Sequence, residues 1–153
     1  ASMTGMVYFY IYNNLLTGTV PSFLFQNIPN LYVCELGSNY FTGSIPQISS
    51  EYTPFLQYID FYNNYCTGTL PESLGTLTNL QYCFIYNNHL TGSIPNSYSG
   101  MTGMFQLYLD SNFLSGTIPN NIGNLQYLQF FDLSNNKLTG PIPSSVSEMY
   151  YLI

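Results

Sequence analysis

Charge is scarce in this sequence. Only 5% of its 153 residues are Asp, Glu, Lys or Arg, and a single cation, Lys137, stands against seven carboxylates for a net charge of −6. One cation cannot neutralise a row of phosphates, so nucleic acid is excluded as a partner. Anionic membrane surfaces are disfavoured on the same ground. Tryptophan is absent and histidine occurs once, at His89. The pattern places no acid or nucleophile beside His89, so a Ser-His-Asp unit has no support. No apolar run approaches the ~18 residues that a membrane-spanning helix needs. N-x-S/T sequons are missing as well. The nearest is the atypical Asn64-Tyr65-Cys66, on an asparagine expected to face inward and so a poor glycan acceptor. The opening "ASMTGM" has no basic and apolar leader, which reads as a mature chain or an excerpt.

What the sequence does have is one phrase written six times. "NNLLTGTVP" ends at Pro21, "SNYFTGSIP" at Pro46, "NNYCTGTLP" at Pro71, "NNHLTGSIP" at Pro95, "SNFLSGTIP" at Pro119 and "NNKLTGPIP" at Pro143. The glycines of the phrase step by 25, 25, 24, 24 and 24 residues. A fixed period in that range marks a solenoid, whose units bury their apolar side only against their neighbours. Upstream of each phrase runs a short alternating stretch such as "YCFIY" or "FFDLS", the periodicity of a strand. Its inward places hold Phe9 and Ile11, Cys34 and Leu36, Ile59 and Phe61, Cys83 and Ile85, Leu107 and Leu109, Phe131 and Leu133. One parallel strand per coil follows. Farther back, apolar pairs three apart, such as Leu77 and Leu80 or Leu125 and Leu128, turn one side of the return path inward.

Cys34 and Cys83 fall two coils apart, ~10 Å at a strand spacing of ~4.8 Å, which no disulfide bridges. With Cys66 they read as small buried hydrophobes. Asn14, Asn39, Asn64, Asn88, Asn112 and Asn136 head the turn after each strand. There a side-chain amide can satisfy backbone groups of the adjoining coil, so this ladder is structural. The glycines serve a tight or positive-φ bend.

These residues resemble the leucine-rich repeat family of the plant-specific type, found in receptor-like kinase ectodomains and polygalacturonase-inhibiting proteins, with the unit LxxLxxLxLxxNxLxGxIP. The resemblance covers essentially the whole chain. Met, Tyr, Phe and Cys replace many leucines, and Thr53 stands where an apolar residue is expected. The resemblance implies an α/β-type repeat solenoid, a curved right-handed superhelix with one parallel strand per repeat. It also implies a second short sheet from the T-G-x-I-P segments, and loops or 3-10 turns on the convex side. Residues 1–153 then form one domain of six repeats, about 1–27, 28–52, 53–76, 77–100, 101–124 and 125–153, with no evident capping domains. The resemblance further implies a secreted, extracellular protein that is not an enzyme and uses no cofactor or metal.

Outward places on the strands form the concave face. Its binding candidates include the tyrosines Tyr8, Tyr10, Tyr12, Tyr58, Tyr62, Tyr82, Tyr86 and Tyr108, with Phe84 among them. Flat rings with polar tips suit interfaces and sugar faces, although in-register stacking that stiffens the sheet explains them equally. Gly37 interrupts the column and marks a notch for a ligand or a neighbouring chain. Two carboxylate pairs share the face: Glu35 and Asp60 on adjacent strands, ~5 Å apart, and the diagonal neighbours Asp110 and Asp132. That separation suits a retaining glycosidase or a Ca²⁺ site. No substrate clamp accompanies the pairs, so they read as solvated acids with raised pKa.

Hydroxyl columns Thr17, Thr42, Thr67, Thr91, Ser115 and Thr139 run beside Thr19, Ser44, Thr69, Ser93 and Thr117. They are the family phrase, and also candidates for O-linked glycans or for an ice-binding T-x-T array. At the ends, Met3 and Met6 take the usual inward pair, and Met149 and Leu152 take it again one period after the last full repeat, beside Tyr150 and Tyr151. Solenoids need polar caps, and none is visible here. One expectation is therefore a structural scaffold whose copies join head to tail through these ends into a filament, with an axial step of ~29 Å for six strands. A recognition module for another protein, a peptide or a polysaccharide is a second, and ice binding a third.

Overall fold

The computed structural model describes residues 3–153. Each repeat contributes one three-residue strand to a six-stranded parallel sheet: Tyr8–Tyr10, Val33–Glu35, Tyr58–Asp60, Tyr82–Phe84, Gln106–Tyr108 and Phe130–Asp132, in that order. The register is strict from strand to strand. Tyr8 pairs with Val33, then Tyr58, Tyr82, Gln106 and Phe130, while Tyr10 leads through Glu35, Asp60, Phe84 and Tyr108 to Asp132. The middle residue of each strand points inward, and Cys34, Ile59, Cys83 and Leu107 are fully buried. In the first and last repeats the equivalent Phe9 and Phe131 pack on the core but stay half-buried.

The T-G-x-I-P segments build the second sheet. Thr17–Thr19, Tyr40–Ser44 and Tyr65–Thr67 pair in parallel, as do Ser115–Gly116 and Lys137–Leu138. Backbone hydrogen bonds from His89 to Cys66, Thr91 to Gly68, Phe113 to Leu90 and Ser115 to Gly92 carry the ladder between them. Glycine is required here: Gly43 (φ 72°) and Gly92 (φ 79°) sit in the left-handed region with the methyl of Thr19 or Thr69 over them. The return paths are one α-turn, Phe23–Gln26, and the 3-10 turns Glu72–Thr76, Asn96–Gly100, Ile122–Asn124 and Ser144–Glu148. Pro71, Pro95 and Pro143 hold the residue before three of these turns extended.

Between sheets and turns lies one continuous core. The asparagines satisfy backbone groups along it. Asn64 Nδ2 donates to the carbonyls of Leu36 (3.2 Å), Phe61 (3.1 Å) and Tyr62 (3.2 Å), and its Oδ1 accepts the Phe41 N–H (2.9 Å). Asn39, Asn88 and Asn112 repeat this pattern and are buried like Asn64; Asn136 repeats it half-buried, and Asn14 is exposed. Thr53 is buried in its apolar slot because its hydroxyl donates to the Ser49 carbonyl at 3.1 Å. Cys34, Cys66 and Cys83 are free thiols in the core. No helix among the described residues is long and apolar enough to cross a membrane.

Candidate binding face

The six-stranded sheet turns its outward residues into one aromatic surface. Over the third to fifth repeats the rings are in mutual contact. Tyr58 lies 5.8 Å from Tyr82 and 5.4 Å, edge on, from Phe84. Phe84 reaches Tyr108 at 5.1 Å, Tyr108 reaches Tyr86 at 6.4 Å, and Tyr86 stacks on Tyr62 at 5.1 Å with planes 9° apart. These rings are half-buried, while Tyr8, Tyr10 and Tyr12 of the first repeat are exposed. Tyr8 and Tyr10 stack at 6.1 Å. Stacking within the sheet and a free outer surface therefore coexist.

Two expectations for this face are corrected. Asp60 is not a solvated acid: it is 1% exposed, beneath the rings rather than among them. Its Oδ1 accepts the Leu36 N–H at 2.8 Å and the Gly37 N–H at 2.6 Å, and the Tyr58 hydroxyl bonds the same carboxylate. Burial outweighs these bonds and pushes its pKa up to about 7, with Glu35 nearby adding to the rise. Gly37 is likewise no open notch. The Tyr62 ring occupies the space, so a Cβ on Gly37 would lie 2.4 Å from Tyr62 Cε1. The glycine admits the ring, and the ring stands over the strand turn that holds Asp60.

The other carboxylates remain at the surface. Burial raises the pKa of Glu35 and of Asp110. Asp110 accepts the Ser111 hydroxyl at 3.0 Å, and Asp132 accepts the Ser134 N–H at 2.9 Å. No group of three or more His, Cys, Asp or Glu side chains among the described residues is placed to hold a metal ion.

A second aromatic row went unread in the sequence. The variable residue after each ladder asparagine places Tyr40, Tyr65, His89 and Phe113 in one stack, with centroids 5.9, 5.8 and 5.8 Å apart and Lys137 Nζ 5.0 Å over the Phe113 ring. The row borders a groove of about 380 Å³. Asn63 and Asn87 line the same groove, and Asn87 Nδ2 donates to Asn63 Oδ1 at 2.7 Å. Reading the x of N-x-L down the six copies would have exposed the stack.

The remaining candidates lie apart from this face. All eleven Thr and Ser of the hydroxyl columns are exposed, on the second sheet or just beyond its strands, and Thr42, Thr91 and Thr139 donate to carbonyls of the preceding repeat. At the ends, Met3, Tyr150, Tyr151 and Leu152 are exposed and Met6 packs partly on the core. Met149 is 5% exposed, so it is core rather than an end contact.

The family model described as Leucine Rich Repeat matches residues 55–77, 79–101, 105–125 and 127–149, more than half of the chain. This chain belongs to the leucine-rich repeat family. Among solved structures it is similar to the plant peptide hormone receptor RGFR1 in complex with RGF2, at 36% identity over 97% of this chain and 24% of that one, TM-score 0.93. The Arabidopsis receptor kinase HAESA, in complex with the peptide hormone IDA and the co-receptor SERK1, is 32% identical over 96% of this chain and 25% of its own, TM-score 0.91. The BIR2 ectodomain from Arabidopsis thaliana matches at 29% identity over 84% of this chain and 67% of that one, TM-score 0.71. The chain thus spans about a quarter of the length of the first two. No curated protein matches it.

Proposed function

We propose that this chain is a ligand-recognition module of an extracellular receptor-like protein, binding an extended peptide or protein segment along its six-stranded face. The observation that carries the reading is the connected aromatic surface from Tyr58 to Tyr108. Rigid rings with polar edges give large contact area at little cost in side-chain entropy. The similarity to receptors solved with peptide hormones, RGFR1 with RGF2 and HAESA with IDA, supports a peptide over other ligands.

The filament reading rests on the end coils alone. Their exposed apolar residues are also what any stretch of solenoid offers to its next repeat, and nothing in the related structures adds to it. Polysaccharide binding, glycan coating and ice binding gain no support from those structures either.

A random dodecapeptide display library panned on the folded chain tests the proposal. Binders should emerge that lose at least ~10-fold in affinity when Tyr86→Ala and Tyr108→Ala are combined, the scale of one buried aromatic anchor. They should be indifferent to Ser99→Ala on the return side. Binders insensitive to the tyrosine pair would sink the reading.

A further inference from the structure

We infer that the segment bound on this face is cationic, with an arginine or lysine seated against Tyr86 and Tyr108 beside Asp110 and Asp132. The inference rests on the peptide-recognition reading above and names the chemistry of its ligand.

Charge is distributed unevenly over the molecule. Of seven acids, four (Glu35, Asp60, Asp110 and Asp132) belong to the six-stranded face, and the one Lys in the chain is on the second sheet over Phe113. Asp60 is buried and bonded to the backbone of the preceding repeat, so Glu35, Asp110 and Asp132 are the charges a ligand meets. No cation of the described face answers them. A ligand offering carboxylates, sulfates or phosphates here would lose hydration with no opposite charge to replace it. A cationic ligand meets both halves of what a buried cation needs.

The ring geometry supplies the second half. Tyr86 and Tyr108 meet at 59° with centroids 6.4 Å apart, Asp132 is the cross-strand partner of Tyr108, and Asp110 follows Tyr108 by two positions on the same outward side. Two rings at an open angle with carboxylates at the rim form half of an aromatic cage. A guanidinium fits best, because it is planar, stacks on a ring and donates in parallel to a carboxylate. Asp110 and Asp132 each accept a local hydrogen bond. Each carboxylate has about four acceptor positions, so capacity for a ligand remains.

The test uses dodecapeptides selected on the intact chain for dependence on Tyr86 and Tyr108. The selected sequences should be enriched in Arg and Lys over the input library. For one such peptide, Arg→Gln should weaken binding about 5- to 50-fold and Arg→Glu should abolish it. Asp110→Asn with Asp132→Asn should weaken the arginine peptide by a similar factor and leave its glutamine version unchanged. Thermal melts identify folded variants, and a salt titration of the unsubstituted chain reads the charge dependence without any substitution. Face-dependent binders that are neutral or acidic, or an affinity that ignores salt and both substitutions, overturn the inference and leave peptide recognition standing. Failure to obtain any face-dependent binder overturns both.

Discussion

Asp60 carries a pH dependence whose direction follows from its burial. Its folded pKa of about 7 lies above the ordinary aspartate value of ~3.9. Between those limits the folded chain holds a proton that the unfolded chain has lost. Stability therefore declines as pH rises from about 4 to about 7, by on the order of 4 kcal/mol, and is level above. Glu35 and Asp110, also raised, act in the same direction. Asp60→Asn keeps an acceptor for the Leu36 and Gly37 N–H groups and should flatten most of the slope in urea titrations across that range. Gly37→Ala should displace the Tyr62 ring and bring the Asp60 titration, followed by carboxyl NMR, back toward ordinary values. Tyr98 is a simpler case. Its ring is buried and its hydroxyl has no hydrogen-bond partner among the described residues, so Tyr98→Phe should raise stability by about 1 kcal/mol. The alternation of "YIDFY" put Asp60 on the face, but its carboxylate crosses back to the Leu36 and Gly37 N–H groups, 24 and 23 positions earlier. Local pattern carries no trace of such a crossing.

Between strand and return path, the asparagine ladder is the element whose loss should be felt most. Asn64→Ala leaves the Phe41 N–H without its partner inside the core, while the Leu36 and Phe61 carbonyls keep one donor each, from Asn39 and Asn88. At roughly 1–3 kcal/mol for a buried orphan, the loss should be about 2–3 kcal/mol once the weaker amide bonds to those carbonyls are added. Asn14→Ala, at an exposed rung, should cost less than ~1 kcal/mol in the same urea titration. This ladder was legible because identity and spacing both recur. The outer stack of Tyr40, Tyr65, His89 and Phe113 was not, since its chemistry changes at every repeat while only its position is kept. His89→Ala should cost about 1–3 kcal/mol by removing two ring contacts at once. Gly75 and Gly123 were equally silent. They let successive 3-10 turns approach so closely that a Cβ on either would fall 2.1 or 2.2 Å from a backbone oxygen of the next turn.

For the molecule as a whole, the constant period was enough to give the strands, their order and the inward residues, because a solenoid repeats one local solution. The ligand was not legible in that way. A repeated phrase reports what folding needs in every coil, whereas the recognition proposed above depends on what differs between coils, the rings and acids of the outward columns. Each coil is held chiefly by its two neighbours, so amide exchange should be slowest for Ile59, Cys83 and Leu107 and faster for Phe9 and Phe131, which lean on one side only.

That arrangement also governs how the chain would respond to tension. Bonds between adjoining coils, such as Leu36 N–H to Asp60 and Phe61 N–H to Phe84, run along the stacking direction. A pull applied at the two termini loads them one coil after another, as in a zip. Every rupture frees 24 or 25 residues, a gain in contour of roughly 80 Å. Single-molecule extension should show an evenly spaced sawtooth, and a protein under mechanical load would yield by lengthening in equal steps instead of failing in one.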